Sequence, residues 1–517
     1  MMDLLRHSLL TILIFLPTVG AAAVLIVRHR VAVRWITLGV TLGVALLSLL
    51  PAVPAIYDWK DAGPYAYGDS GGVVQLVQRS EWIASPHAQY LIGLDGLNLP
   101  LVILSAILFT LACVASWKVD RPTRYFSLFL LLETAVLGTF LSLDFLLFFA
   151  FSLISLLPIF FLLGWWGPTR RAAAGMKFVL PAIGASIALL AVLIETHLRI
   201  RGLIPRGTFD LIELANPLWR HPAGWAAGGL FLLVFAAFAL RMPVVPFHYW
   251  AEETYAEAPA GVGIILAGAV ANVGGYGMYR IAWALFPHAA AHLRPLIVLI
   301  GLASILYGAW RARSQENLKR MVANLCVCQM GFVLLGTATA TSNGVNGAIF
   351  MMTAQGLVAA SLLAVAGILE DRIGHCDIAL LGGVAGDMPV FTGLSLVAFF
   401  AALGLPGLCL FVGQFLIVVG AFSAGETGPW ARFGWRSTSV LACGAIVLTA
   451  VASLGAFGKI FFGTPRQPRQ TLKDLDQREL SLFIPLAVCM VLLGVIPWIL
   501  FLCLTQQTVA AMLRAFF

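Results

Sequence analysis

Apolar runs of roughly 19 to 34 residues, separated by polar connections, follow one another along the chain. Runs of that length are too long for strands and fit helices crossing about 30 Å of hydrocarbon. They lie at 9–27, 34–53, 97–116, 125–143, 144–166, 174–196, 224–248, 260–285, 292–310, 321–340, 345–369, 389–422, 437–462 and 482–505. The pattern predicts an all-α polytopic membrane protein with about 14 transmembrane helices. Two runs are irregular. The run at 224–248 holds Arg241, Pro243 and Pro246, and the overlong run at 389–422 holds Leu405-Pro406-Gly407. Proline inside a helix frees backbone carbonyls, and irregular backbone at membrane depth is tolerated only under protein or water. Both runs therefore read as discontinuous helices, broken at 242–246 and 405–407.

The breaks fall in the seventh and twelfth runs, which divides the chain into units. Spans one to three and an outer loop at 54–93 occupy 1–124. One five-helix repeat covers 125–285 and a second covers 286–463, while 464–517 forms an inner loop and the last span. An odd helix count inserts the second unit upside down relative to the first, so the two are expected to be inverted repeats. The polar stretch 54–93, with Trp82 near its end, predicts a turn or hairpin at the outer interface. The acidic segment with Glu252, Glu253 and Glu257 reads as a solvated loop.

Composition agrees with the pattern. The 517 residues are 60% hydrophobic and only 11% charged, with a mean hydropathy of +0.94. Soluble domains carry roughly 25% charged residues, so a large soluble enzyme is excluded. The first run, with Arg6 ahead of it and Ala21 to Ala23 near its end, reads as a permanent helix rather than a signal peptide. The eight cysteines fall mostly within spans, and only Cys326 and Cys328 are close, so packing is their expected role. No metal and no cofactor is expected in this chain. The net charge of +8 is read as orientation, with the lipid bilayer as partner and no nucleic acid. Lys and Arg are commoner in the odd-numbered connections, which places both termini outside a bacterial inner membrane.

Candidate chemistry is limited to a few polar groups within the spans. Arg241 is the one positive charge expected well inside a span. It serves either an ion path or the carbonyls freed by Pro243 and Pro246, and a guanidinium that stays protonated favours the structural role. Glu133 and Asp144 are read near span ends. Lys177 either snorkels to the inner surface or pairs with a carboxylate, and Lys319 is a further titratable group. Asn272, Gln329, Gln355 and Gln414 are amides, which hydrogen-bond but neither gain nor lose a proton near neutral pH.

The motifs Arg241-MPVVPFHYW, Glu257-AP, LAGAVANVGGYGMYR at 266–280, NLKRMVANLCVCQMGF at 317–332, MTAQGL at 352–357 and LPGLCLFVGQF at 405–415 carry a resemblance. The chain resembles the antiporter-like membrane subunits of respiratory complex I, related to Mrp-type antiporter subunits. It is most similar to the subunit M, or chain 4, branch of NADH-quinone oxidoreductases. The resemblance implies fourteen helices with two inverted repeats, and a mid-membrane line of ionisable residues that moves protons. Here that line is altered. Leu153 stands where the resemblance implies glutamate, Arg241 and Asn272 where it implies lysine, Gln329 and Gln355 where it implies histidine, and Gln414 where it implies glutamate.

The function expected from these residues is that of a membrane-arm subunit in a complex I-like assembly, with other membrane-arm subunits as partners. The chain itself would carry out no redox catalysis and would conduct protons weakly or not at all. The alternative is a working proton or sodium/proton translocator on a rerouted path through Glu133, Lys177 and Lys319.

Overall fold

A computed structural model describes the chain except for residues 1, 28, 53–64, 67–72, 85–86, 169, 202–206, 216–224, 425–432, 466–471, 498–508 and 510–517. The described residues are mostly helical. Eleven helices are long and apolar enough to cross a membrane, and four shorter apolar helices accompany them: Leu99–Ala115, Ala227–Arg241, Pro389–Ala402 and Cys409–Ser423. The last apolar run begins as the helix Gln477–Val495, and residues 498–505 of that run lie outside the described residues.

Three helices form the centre. The apolar cores of Ala260–Trp283, Leu318–Thr339 and Ser342–Ile373 are buried within the protein, whereas Ser8–Ile26, Arg30–Ala52 and Gly434–Phe461 keep apolar faces outward. Ile187, Leu299, Trp310, Val440 and Val447 belong to that outward apolar surface. Caps fix the helix ends. The side chain of Asn317 accepts from the Lys319 and Arg320 N–H groups, and Thr341 caps the next helix through Gly344. Asp476 and Glu479 form a capping box at the start of Gln477–Val495. Small residues let the central helices approach. A Cβ on Gly356 would lie 2.6 Å from the Gly268 carbonyl, and one on Gly331 would lie 2.7 Å from the Gly301 carbonyl.

Both expected breaks are present. The helix Trp225–Arg241 stops at Arg241, turns occupy 242–248, and the helix Tyr249–Glu257 follows. The Val245 N–H in this turn donates to Ser304 Oγ at 2.9 Å, so a neighbouring helix satisfies it. Pro389–Ala402 and Cys409–Ser423 flank the second break, where Gly404 and Gly407 adopt φ values of 80° and 91°. Only glycine takes such angles without strain. The segment with Glu252, Glu253 and Glu257 is a helix rather than the solvated loop read from its charge. Its buried Trp250 and Tyr255 anchor it against the bundle.

The polar stretch 54–93 contains an antiparallel sheet of order β1-β2-β3, with β1 Tyr65–Ala66, β2 Val73–Ile83 and β3 Ala88–Leu94. Arg79 pairs with Leu91 and Ser80 with Tyr90 across the β2–β3 hairpin. The first part of the stretch, 54–64, lies outside the described residues.

Candidate ion path

Asn272 lies in the centre of the 260–283 helix between two π-helical turns, Leu266–Val270 and Met278–Trp283. A π turn disturbs the regular ladder and leaves carbonyls to be satisfied otherwise, and it often marks a functional segment. Here side-chain amides do that work. Asn272 Nδ2 donates to the Gly268 carbonyl at 2.8 Å and to the Met352 carbonyl of the 342–373 helix at 3.0 Å. Gln355 of that helix answers in the opposite direction. Its Nε2 donates to the Ala267 carbonyl and to Cys326 Sγ, both at 3.2 Å. The two amides thus cross-link the central helices reciprocally. Gln329 is buried in the 318–339 helix, and Gln414 is buried beside Gly404 at the second break, where any Cβ would run into its Oε1. The oxygens Asn272 Oδ1, Gln355 Oε1 and Gln414 Oε1 have no hydrogen-bond partner among the described residues.

Arg241 and Leu153 are placed differently from each other. Arg241 is buried, and its Nη2 donates to Ser186 Oγ at 2.7 Å while Nη1 reaches the Ser152 carbonyl at 3.5 Å. The guanidinium therefore serves two other helices and not the carbonyls freed by Pro243 and Pro246. Leu153 follows Ser152 directly but is 42% exposed, on the outward face of the bundle. It stands apart from the buried amides.

The remaining titratable groups are scattered. Glu133 is not near a helix end: it sits mid-helix in Pro122–Leu141, fully buried, with neither carboxyl oxygen partnered among the described residues. Lys177 pairs with Glu253 at 2.5 Å rather than snorkelling alone, both groups being partly exposed. Lys319 is buried, bound to Glu370 at 2.6 Å and to the Ala258 carbonyl at 3.1 Å. Glu252 meets Arg311 at 3.4 Å and accepts from Asn324 Nδ2 at 2.9 Å. At the end of the bundle that carries the β-sheet, Asp144 is buried and caps the Phe145–Ile154 helix. It accepts from the Leu147 N–H at 3.0 Å and the Gln89 N–H at 3.2 Å, and burial pushes its carboxyl up to about 6. Burial also raises the neighbouring Asp210. No group of three or more His, Cys, Asp or Glu side chains among the described residues could hold a metal ion.

One buried pair escaped the sequence reading. Arg280 and Asp95 meet at 2.8 Å, both almost fully buried. Asp95 Oδ1 also accepts from the Leu97 and Asn98 N–H groups, and Arg280 Nε donates to Tyr276 Oη at 2.9 Å. Arg241 is therefore not the one cation within the spans. Arg280 near the end of an apolar run looks interfacial, and only the fold brings Asp95 to it.

A protein-family profile described as "NADH:quinone oxidoreductase/Mrp antiporter, TM" matches residues 142–433. The chain is 31% identical over 510 residues to the NADH-quinone oxidoreductase subunit M of Rhodobacter capsulatus, covering 95% of this chain and 94% of that one. It is 34% identical over 498 residues to the subunit of the same name from Pseudomonas aeruginosa, covering 94% of each. Among solved structures, a chain of respiratory complex I from Thermus thermophilus superposes with a TM-score of 0.83 at 27% identity, over 98% of this chain and 100% of that one. A chain of the Mrp complex from a Dietzia species shares the fold, with a TM-score of 0.79 at 20% identity over 99% of each chain. These likenesses span nearly the whole sequence and include both broken helices, and the chain belongs to the NADH:quinone oxidoreductase/Mrp antiporter family of membrane proteins.

Proposed function

We propose that this chain is a membrane-arm subunit of a complex I-type oxidoreductase that keeps the antiporter frame but conducts protons weakly or not at all. The observation that carries this reading is the reciprocal amide cross-link of Asn272 and Gln355 at the centre of the bundle. An amide holds helices together but cannot pass on a charge by titrating. Leu153 faces outward, and Arg241 directs its two terminal nitrogens to Ser152 and Ser186. The subunit then acts as a structural link among the other membrane-arm subunits of a bacterial inner-membrane assembly. Both termini lie outside, and 125–285 and 286–463 form two inverted repeats.

The test is a proton-flux measurement on purified chain in liposomes, with a pH-sensitive dye inside. Vesicles with protein should hold an imposed pH gradient as long as protein-free vesicles do. A second reading, a rerouted path, draws on the buried and unpartnered carboxyl of Glu133. Dissipation of the gradient that Glu133→Gln abolishes would establish that path and overturn the non-conducting one. Recovery of a homogeneous monomer from mild detergent, with no other membrane subunit, would count against the membrane-arm role.

A further inference from the structure

The helix Leu99–Ala115 leads away from β3, and at its far end Trp117 packs edge to face on Trp35, with ring centroids 5.2 Å apart. This contact joins the start of the Arg30–Leu49 helix to the connection at 116–121. Arg30 and Arg34 come just before Trp35, and Lys118, Arg121 and Arg124 just after Trp117. Arg34 is half-buried and the other four are exposed. Asp120 is the sole acidic residue in the stretches 29–36 and 116–124. Lys177, Lys319 and Arg372 each meet a carboxylate. Among the described residues, none lies within ion-pair distance of these five cations. Beneath them the 30–49 helix turns an apolar stripe outward. Val31, Trp35, Leu42, Leu46 and Leu49 are exposed at helical spacing. Gly39 stands in the middle of that stripe, and a Cβ added to it would meet nothing within 4 Å. The stripe therefore carries a notch between the tryptophan and the leucines.

We propose that this rim binds an acidic phospholipid, its phosphate held among Arg30, Arg34 and Lys118 and one acyl chain laid along the stripe through Gly39. Charge names the occupant. Cations at the membrane surface attract an anionic headgroup, each worth about a fivefold gain in affinity. A zwitterionic headgroup brings its own cation to the same place and forfeits that gain. Inorganic phosphate matches the cations but makes no use of the tryptophans or the notch. Amphipathic rings suit the level where headgroup meets hydrocarbon, which is where Trp35 and Trp117 stand between the cations and the apolar stripe. The bound lipid bridges the 30–49 helix and the connection ahead of the 122–141 helix. The site is independent of whether protons cross the centre of the bundle.

The test uses the purified full chain in a neutral detergent. It is titrated with phosphatidylglycerol, with phosphatidylcholine of the same acyl chains, or with inorganic phosphate, while the thermal midpoint is followed. Phosphatidylglycerol should raise the midpoint saturably, as a ligand of the folded state does, and the other two should leave it unchanged. The triple variant Arg30→Gln/Arg34→Gln/Lys118→Gln should need about a hundredfold more phosphatidylglycerol for half the effect. Arg313→Gln/Arg320→Gln/Lys459→Gln loses the same charge from exposed positions elsewhere and should respond like the unmodified chain. Phosphatidylglycerol with a photoactivatable acyl chain, added to the unmodified chain, should label the 30–49 helix. Equal responses to the two lipids would mean ordinary solvation by lipid, and a response to inorganic phosphate would mean an anion site without a lipid; either overturns the proposal. Equal losses in the two triple variants, or labelling that spares 30–49, would overturn it as well.

Discussion

Replacing Asp95 by asparagine isolates the charge of an ion pair that, among the described residues, alone has both members almost fully buried. Asparagine keeps the Oδ1 that accepts from the Leu97 and Asn98 N–H groups, but sets an NH₂ donor against the Arg280 guanidinium. At 2.8 Å and an effective dielectric constant of about 20, the pair attracts by on the order of 6 kcal/mol, much of it offset by desolvation. Removing one partner leaves the other charge buried and unpaired, so Asp95→Asn should cost about 3–5 kcal/mol. Arg280→Met should cost a comparable amount, because it leaves the Asp95 carboxylate buried without its guanidinium. The double variant Asp95→Asn/Arg280→Met has no buried charge left at this site, and should be more stable than the sum of the single losses by about 2 kcal/mol or more. The assay is equilibrium unfolding of purified protein in mixed micelles with a denaturing detergent, read by tryptophan fluorescence. Strictly additive losses, or a loss below about 1 kcal/mol for Asp95→Asn, would refute the claim that this pair locks the 260–283 helix to the turn at 95–98.

Other expectations follow from the same packing. Asp144 is raised from 3.8 to about 6 by burial, so the folded state holds its proton more tightly than the unfolded chain. Its contribution is present in full below the unfolded value and is lost as pH rises through about 6, on the order of 3 kcal/mol in all. Asp144→Asn should flatten the stability profile between pH 4 and 7, and an unchanged slope would count against the shift. Gly356→Ala should lose about 1–3 kcal/mol by forcing apart two helices that meet at Gly268. Gly444→Ala, in a helix with open space beside it, should be neutral or slightly stabilising, and equal effects in the two would refute the close approach. Asn272→Lys places an ammonium at a fully buried position that holds two carbonyls, and should cost about 3 kcal/mol or more. Leu153→Glu, on the outward face, should be tolerated far better in detergent; a ranking in the reverse order would show that the core is built for charge.

The helices were legible because their signal is local. Apolar length announces a span, and Pro243, Pro246 and Leu405-Pro406-Gly407 announce the breaks that the fold contains. What sequence could not show is partnership at long range. Glu133 looked terminal because the apolar run around it is fringed with polar residues, yet it is buried in mid-helix. Lys319 and Glu370 lie on different helices and meet only through the central packing, and Asp95 and Arg280 likewise meet only through the fold. The acidic helix at 249–257 carries too many carboxylates to look packed. Its burial depends on Trp250 and Tyr255 facing one way while Glu252 and Glu253 face cations on other helices.

The amides themselves suggest why some altered positions stayed polar and one did not. Asn272 and Gln355 both donate to carbonyls of the π turn at 266–270, or to the residue opposite it. Any donor at those positions meets that structural demand, whether or not it titrates. The resemblance implies lysine and histidine there, donors as well, so exchange for asparagine or glutamine keeps the hydrogen bond and discards the proton chemistry. A carboxylate is acceptor-only and answers no such demand. At 153, on the outward face, its loss leaves no buried donor unpaired in the central helices, and leucine suits the apolar surroundings. At 414 the side chain lies buried beside Gly404, where an apolar replacement would have to fill a slot shaped around an amide. On the proposed weakly conducting or non-conducting reading, hydrogen-bonding need is enough to account for the buried amides at 272 and 355.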